Sequence, residues 1–437
     1  MLLTINTNYN LQKKHGRFYL YNKITSISYE LSYKLYFILS LFYKQAYSLD
    51  KLQDEFDKHG IGLSDFRQFL RMEDFLDLLV PASTLLKISD YKVSENLPQC
   101  TSAVPERVDF FITKHCNLSC KHCFEGSAPT FPCRRFTLDE VERLILQLES
   151  ANIRTLKITG GEPFSHPDID KFLLEVSRCH FETIILTNAL LINPYRIRLI
   201  KEGKIKLGIS LDGVSEETHD YIRGKGAFNQ LKKILGALYS EKITFGITCT
   251  VNRLNLFQLD AIVNYVLNDL DASSLFLNRL RPMGRTNQNE NLVLSKEEDD
   301  IFYKKYLGYK EIYKERLFLS DDSVIDNVHP HSKDIICRAG NSLLAVDENL
   351  DVYPCIYGIG FPEYRMGNLM QQDLAQIWDS AKWDLFRGKT KLDELVDCRQ
   401  CKLNASCMIR NCRLKPVYEG RSFLSAVSYC KGMRISV

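Results

Sequence analysis

The sequence predicts an α/β protein whose central part is a partial barrel of β/α units. Within residues 104–285, apolar runs of strand length alternate with segments whose apolar residues recur every three to four positions. This alternation is typical of a parallel sheet covered by helices. Six units favour a partial (β/α)6, TIM-like barrel over a closed barrel of eight. The six strands are predicted at residues 108–112, 154–158, 183–186, 206–211, 244–251 and 274–280.

Composition and charge exclude several classes of function. The chain has 437 residues, enough for two or three domains, and is 45% hydrophobic and 25% charged. A net charge of +3 gives no reason to expect a nucleic-acid partner. The longest apolar run, residues 35–42, is too short to cross a bilayer, and no signal-peptide pattern opens the chain. We therefore expect a cytoplasmic protein that binds neither nucleic acid nor a membrane.

Three cysteines, Cys116, Cys120 and Cys123, follow the first predicted core strand with the spacing C-x3-C-x2-C. Loops at the carboxyl ends of parallel strands usually form the functional site of such folds. Three thiolates suit three corners of a [4Fe–4S] cluster and leave one iron open to another ligand. A zinc ion is the alternative for this triplet alone, with His115 or His122 as its fourth ligand.

A second element, Gly160-Gly161-Glu162-Pro163, follows the next predicted strand. A glycine pair lets backbone approach a ligand closely, the glutamate offers a carboxylate, and the proline stiffens the turn. The cysteine triplet and this element, in this order on successive strands, resemble the radical S-adenosylmethionine (radical SAM) enzymes. The resemblance implies that the open iron chelates the amino and carboxylate groups of SAM. It also implies that the backbone of the glycine element meets the amino group.

Further site residues are predicted at the later strand ends. The resemblance implies that Ser210 and Arg223 contact the ribose and carboxylate of SAM, because a guanidinium can bind a carboxylate through two nitrogens. His122 stands where the family carries an aromatic residue, and we include it among the cofactor contacts. Asp212 is expected near the mouth of the barrel, after the fourth predicted strand. Arg285, at the end of the core, is expected to face solvent.

Seven cysteines after residue 336 resemble the SPASM extension of radical SAM enzymes, which carries two auxiliary [4Fe–4S] clusters. Four residues separate Cys407 from Cys412, where the family has three. Structural zinc sites are the alternative, since Cys-x2-Cys is also a zinc motif. The first auxiliary cluster has three evident ligands, which leaves its fourth ligand open. The resemblance assigns Cys337, Cys355 and Cys412 to the first cluster and Cys398, Cys401, Cys407 and Cys430 to the second.

Residues 1–95 predict a winged-helix domain, with strands at 18–21 and 24–29 and helices at 31–46, about 50–59 and 64–72. Joined to a radical SAM core, such a domain resembles the leader-recognition domains that add a precursor peptide to a sheet edge. A packing or dimerisation module and a DNA-binding domain are the alternatives, and the many acidic residues after position 49 disfavour DNA. Residues 286–336 are predicted to bridge the core to the SPASM domain, residues 337–437.

The resemblance implies three [4Fe–4S] clusters, SAM, and reductive SAM cleavage to a 5′-deoxyadenosyl radical that abstracts a substrate hydrogen. The expected partners are a ribosomal precursor peptide and an electron donor such as flavodoxin or ferredoxin. The preferred hypothesis is a peptide maturase that forms a thioether or carbon–carbon crosslink. An anaerobic sulfatase-type formylglycine maturase and a zinc-stabilised peptide-binding protein without enzymatic activity are the alternatives.

Overall fold

The chain divides into two compact units, Met1–Ala103 and Val104–Val437. The computed structural model describes residues 104–319, 337–387, 394–399 and 412–427, and in the first unit six strands and Leu39. These strands form two antiparallel three-stranded sheets, ordered β5-β1-β6 and β2-β3-β4. Their bounds are β1 Leu2–Ile5, β2 Tyr9–Lys14, β3 Arg17–Asn22, β4 Ile27–Leu31, β5 Tyr47–Ser48 and β6 Leu79–Pro81.

The first unit contains more strand than the sequence predicted. The strand expected at 18–21 is confirmed as β3, and the one expected at 24–29 lies slightly later, as β4. Ser48 lies in β5, where it pairs with Leu2. Apart from Leu39, which is helical, the three predicted helices lie outside the described residues. The winged-helix assignment stays a prediction.

The second unit is built on the six predicted core strands, which are confirmed as parallel neighbours in chain order. They are β7 Arg107–Phe111, β8 Thr155–Thr159, β9 Glu182–Thr187, β10 Lys206–Ser210, β11 Phe245–Val251 and β12 Ser274–Arg279. The helices between them are α1 Leu138–Ser150, α2 Ile169–Val176, α3 Pro194–Glu202, α4 Glu216–Arg223, α5 Ala227–Ser240 and α6 Leu259–Asn264.

The C-terminal part of the chain extends this sheet at both sides. The predicted bridge supplies helix α7, Lys296–Tyr313, and strand β13, Leu317–Leu319, which pairs in parallel with β12. On the other side β14, Leu343–Val346, adds in parallel to β7. Two antiparallel strands follow, β15 Asp351–Tyr353 and β16 Gly367–Asn368. Among the described residues the sheet runs from β13 to β16 without closing, so the barrel is partial.

Side chains alternate between two different environments along the core strands. On the helix side they are buried: Phe110 of β7 packs on Phe172 of α2, with ring centroids 5.5 Å apart. On the opposite face, alternate residues such as Thr159, Ser210 and Thr248 are only half-buried. That face is the interior of a TIM-like barrel.

The helices begin where the sequence places capping residues. At the start of α1, Thr137 Oγ1 accepts a hydrogen bond from Glu140 N at 3.2 Å, and the Glu140 carboxylate accepts one from Thr137 N at 2.9 Å. The two bonds form a capping box, and Ser295 and Glu298 form a second one at α7. No helix of the described residues combines the length and the apolar character needed to cross a membrane.

Candidate functional site

The cysteine loop, residues 113–128, follows β7 and contains three neighbouring, largely buried thiols. Cys116 and Cys120 are each 8% exposed, Cys123 is half-buried, and the three lie within electrostatic reach of one another. Burial raises the pKa of the Cys116 thiol to about 12 and also raises that of Cys120, against the nearby Arg223 guanidinium. Binding iron would release these protons, because thiolate is the ligating form. The donor set fits a cluster held by three cysteines.

The glycine pair after β8 is required by the backbone of the cysteine loop. Gly161 N–H donates to Thr113 O at 2.6 Å, and Glu162 N–H donates to His115 O at 2.9 Å. A Cβ at Gly160 would lie 2.4 Å from Thr113 O, and one at Gly161 would lie 2.1 Å from His115 O. The pair thus admits the segment that leads into Cys116, and its contact with the amino group of SAM stays a prediction.

The Glu162 carboxylate is bound by the protein itself. It is 1% exposed and accepts hydrogen bonds from Thr187 Oγ1 at 2.6 Å, Asn188 N at 2.7 Å and Phe164 N at 3.1 Å. Burial raises its pKa, and these three bonds oppose the rise. The side chain therefore fixes the end of β9 against the glycine element. Its role as a cofactor contact stays a prediction.

Asp212 is the centre of a buried polar network beside the cysteine loop. It is fully buried, and its carboxylate lies 2.6 Å from Arg223 Nε and 2.8 Å from His122 Nε2 and accepts from Thr250 N at 2.7 Å. Burial acts to raise the pKa of Asp212, but Arg223 and His122 outweigh it and hold the pKa well below its ordinary value. The sequence analysis placed Asp212 near the mouth and missed this role.

Arg223, at the end of α4, connects this network to the cysteines. Its Nη1 lies 4.0 Å from Cys120 Sγ, and its Nε is committed to Asp212. Burial lowers the pKa of Arg223, and Asp212 and Cys120 more than compensate and raise it. The guanidinium is therefore a fixed cation, and a carboxylate ligand would meet its terminal nitrogens. Its predicted contact with SAM is untested.

Two other predicted site residues also have defined positions. Ser210 is the last residue of β10, is half-buried, and pairs with Thr248 of β11. His122 lies at the Asp212 carboxylate. His115, proposed with His122 as a possible zinc ligand, has its Nδ1 3.1 Å from Ser165 Oγ. Within the described part of the chain, no group of three His, Cys, Asp or Glu side chains lies close enough together to hold a single metal ion.

Arg285 was expected to face solvent, and this expectation is wrong. Its guanidinium donates to Cys120 O at 2.6 Å and to Gly126 O at 2.6 Å, so it lies against the cysteine loop. Local periodicity gives no sign of this contact, because the partners are more than 150 residues apart in the chain.

The structure also brings together the three cysteines assigned to the first auxiliary cluster. Burial raises the pKa of Cys337 to about 12, with Cys412 adding to the rise, and raises that of Cys355 well above 9.0, with Cys412 and Cys337 adding. All three are half-buried and lie within electrostatic reach of one another, which fits a shared cluster. Cys398 is buried in a separate small group with Leu395 and Ala426. Cys401, Cys407 and Cys430 lie outside the described residues.

Two family models match the parts of the chain that carry these cysteines. Residues 110–266 match the radical SAM superfamily, and residues 337–402 match the SPASM iron–sulfur cluster-binding domain. The chain belongs to the radical SAM superfamily. The radical SAM match covers the cysteine loop, the glycine element, Asp212 and Arg223. The two domains imply iron–sulfur clusters and SAM as cofactors of this radical SAM enzyme.

Curated relatives of this radical SAM protein include a heme synthase, a bacteriocin biosynthesis protein and a maturase. The AdoMet-dependent heme synthase of Methanosarcina barkeri is 25% identical over 75% of this chain and 96% of its own length. The subtilosin biosynthesis protein AlbA of Bacillus subtilis is 27% identical over 63% of this chain and 60% of AlbA. The mycofactocin maturase MftC of Mycobacterium ulcerans is 28% identical over 70% of this chain and 86% of MftC.

Solved structures show the same fold. Streptococcus suis SuiB, solved bound to its precursor peptide SuiA, matches with a TM-score of 0.70 and 16% identity. That match covers 99% of this chain and 100% of SuiB. The enzyme anSMEcpe, solved with bound AdoMet and a peptide, matches with a TM-score of 0.59 and 19% identity over 76% of this chain and 95% of its own. The radical SAM and SPASM architecture predicted from the sequence is thereby confirmed.

Proposed function

We propose that the protein is a maturase of a ribosomally made precursor peptide and that it forms a thioether or carbon–carbon crosslink within that peptide. When bound, a [4Fe–4S] cluster and SAM supply reductive cleavage of SAM and a 5′-deoxyadenosyl radical that abstracts hydrogen. Cys116, Cys120 and Cys123 would hold this cluster. Arg223, held by Asp212, supplies a fixed positive charge beside Cys120.

One observation carries this proposal: the fold similarity to SuiB extends over nearly the whole chain. The unit Val104–Val437 makes up 76% of the chain (334 of 437 residues). The match to anSMEcpe covers that same share, and the heme synthase match covers 75%. The match to SuiB, which was solved with a precursor peptide, must therefore include the first unit.

The first unit would bind the leader of the precursor peptide. Its two antiparallel sheets each have outer strands, β2 and β4 in one and β5 and β6 in the other. An extended peptide adds to such an edge through main-chain hydrogen bonds, while side-chain pockets provide specificity. This mode needs no strongly charged surface, in agreement with a net charge of +3.

The C-terminal cysteines would hold two auxiliary [4Fe–4S] clusters, which brings the total to three. Cys337, Cys355 and Cys412 would hold the first, with a fourth ligand supplied by another residue or by substrate. Cys398, Cys401, Cys407 and Cys430 would hold the second. Three cubanes predict about twelve irons per chain after anaerobic purification. Zinc without iron would instead support a peptide-binding scaffold without enzymatic activity.

The test is an assay with the short peptide encoded beside this gene, SAM and a reductant such as reduced flavodoxin, under anaerobic conditions. Each crosslink removes two hydrogens from the peptide, so we expect a product two mass units lighter. A variant with Cys116, Cys120 and Cys123 all replaced by alanine is the control and should give none. An unchanged peptide mass with the wild-type enzyme, in the presence of 5′-deoxyadenosine, would count against crosslinking.

The second candidate, a formylglycine-forming maturase, is favoured by the similarity to anSMEcpe, whose structure also contains a peptide. Removing residues 1–95 separates the two hypotheses. Leader capture predicts that the shortened enzyme still cleaves SAM but loses peptide binding, measured by fluorescence anisotropy with a labelled peptide. Undiminished peptide binding by the shortened enzyme favours the second candidate.

A further inference from the structure

Arg285 binds the cysteine loop through its side chain and its backbone. Its Nη1 donates to Cys120 O at 2.6 Å, and its Nη2 donates to Gly126 O at 2.6 Å and Ser127 O at 2.8 Å. Its backbone N–H donates to Cys123 O at 2.9 Å. One residue thus satisfies four carbonyl groups between Cys120 and Ser127, and two of these carbonyls belong to cysteines of the triplet.

The cysteine loop depends on such donors because it has little regular structure of its own. Between β7 and α1 the chain forms no helix and no strand, and all of that segment is described. Two of these four carbonyls also accept from the loop itself, since Cys123 N–H donates to Cys120 O at 3.2 Å and Gly126 N–H donates to Cys123 O at 3.3 Å. The carbonyls of Gly126 and Ser127 find their donor outside the loop, in Arg285. An arginine is suited to this task because its rigid planar fork carries five N–H donors and no acceptor.

The residues around Arg285 bring it close to the loop. Gly284 has φ +59°, and a Cβ there would lie 2.0 Å from Phe124 O and 2.7 Å from Cys123 O. Only glycine permits this approach without a shift of one backbone. From the other side, Asn289 Nδ2 donates to Lys121 O at 3.3 Å and to Arg285 O at 3.2 Å. The contact is therefore supported on both sides of Arg285.

We propose that Arg285 is a positioning residue that holds the cysteine loop in its cluster-binding conformation and thereby controls how long the cluster is retained. This inference rests on the proposed assignment of Cys116, Cys120 and Cys123 as cluster ligands.

The test compares Arg285→Gln and Arg285→Lys with Arg316→Gln in the full-length, anaerobically reconstituted enzyme. Arg316 is a matched control, because its Nη2 donates to two backbone carbonyls, Leu267 O at 2.9 Å and Ala272 O at 2.7 Å, away from the cysteine loop. The measurements are the rate of iron release to a chelator and the electron paramagnetic resonance signal that responds to SAM.

We expect Arg285→Gln to lose the SAM-responsive signal about tenfold faster than the wild type or more, with the remaining iron released at the wild-type rate. Arg285→Lys keeps the charge but not the planar fork of donors. Its rate of signal loss should lie between those of the wild type and Arg285→Gln. Arg316→Gln should retain the wild-type rate. Circular dichroism checks that each variant is folded. If Arg285→Gln does not fold, the rate of signal loss in Arg285→Lys tests the proposal.

The proposal is overturned if both Arg285 variants retain the SAM-responsive cluster as long as the wild type does. It is also overturned if Arg316→Gln accelerates the loss equally, because the effect would then be general destabilisation. A wild-type enzyme without any SAM-responsive signal instead contradicts the proposed function itself. The two failures are therefore distinguishable.

Discussion

Arg223 and Asp212 form a buried ion pair, with Nε 2.6 Å from Oδ2 and almost no solvent access to either side chain. The pair lies next to Cys120, whose Sγ is 4.0 Å from the other arm of the guanidinium. Because Asp212 also binds His122 and Thr250 N, one carboxylate organises three segments of the site. The position of the cation beside the cluster site thus depends on a residue that the cofactor itself does not need to touch.

Replacing Asp212 with asparagine should destabilise the protein strongly, since it leaves the buried Arg223 without a countercharge. Breaking one side of a buried ion pair typically costs about 3–5 kcal/mol. The measurement is the free energy of unfolding by denaturant, together with the Kd for SAM. Glu298→Gln is the control, because the Arg253–Glu298 pair is more exposed and such pairs contribute about 1 kcal/mol or less. Equal losses in the two variants would contradict this expectation.

Gly161→Ala should displace the cysteine loop, because the new Cβ would lie 2.1 Å from His115 O. Such a contact forces one of the two backbones to move. We expect the purified variant to contain about four fewer irons than the wild type, one cubane's worth, with loss of the SAM-responsive signal. Gly236→Ala in α5 is the control: a Cβ there has open space, and the change should stabilise the helix by about 1 kcal/mol.

His219 should make the protein lose stability as the pH falls below neutrality. Burial, with Arg223 nearby, lowers the pKa of His219 from 6.5 to about 4, and its Nδ1 accepts a hydrogen bond from Asp212 N. Between pH 4 and pH 6.5, His219 is therefore protonated in the unfolded chain and neutral in the folded chain. The contribution is fully present above pH 6.5 and is lost as the pH falls toward 4, on the order of 3 kcal/mol. His219→Gln should flatten the dependence of Tm on pH in this range, and an unchanged slope would argue against it.

Cys355→Ala should remove one auxiliary cluster and leave the SAM-binding cluster in place. Cys355 lies within electrostatic reach of Cys337 and Cys412, and all three are half-buried. We expect iron analysis to show about four irons fewer, while the SAM-responsive signal persists. Cys179→Ala is the control, because Cys179 has no predicted ligand role. Its thiol donates to the carbonyl of Glu175 in helix α2. Loss of the SAM-responsive signal in Cys355→Ala would contradict the assignment of separate sites.

Tyr418→Phe should weaken the support that the C-terminal segment gives to the cysteine loop. The Tyr418 hydroxyl donates to Phe124 O at 2.5 Å, directly after Cys123, and its ring packs 6.2 Å from the Phe124 ring. Losing the hydroxyl alone should cost about 1 kcal/mol in unfolding free energy. Tyr418→Leu also removes the aromatic packing and should cost more. If the two variants are equally stable, the ring does not contribute.

The sheet of the core could be predicted from the sequence because its signals are local. Apolar runs, helical periodicity and the Thr137–Glu140 capping box each depend on residues close together in the chain. The cysteine spacing and the Gly160–Pro163 element are local as well. These features were sufficient for the family and for the order of the core strands.

The remaining features depend on pairings across long sequence separations, which periodicity does not encode. Leu343 pairs with Arg107 in the sheet, and Arg285 binds the carbonyl of Cys120. An arginine gives no local indication of whether it faces water or a backbone carbonyl. The same is true of Glu162, whose carboxylate accepts from Thr187 Oγ1 and Asn188 N at the end of the next strand.

The pairing of β14 with β7 has a practical consequence for anyone who shortens this protein. The strand that leads into Cys116 has β8 on one side and β14 on the other. A fragment ending at residue 336 would strip one neighbour from that strand and expose a row of unpaired amide and carbonyl groups. Such an edge recruits other chains. The SAM-binding half is thus not a detachable module, and expression trials of it alone should yield inclusion bodies.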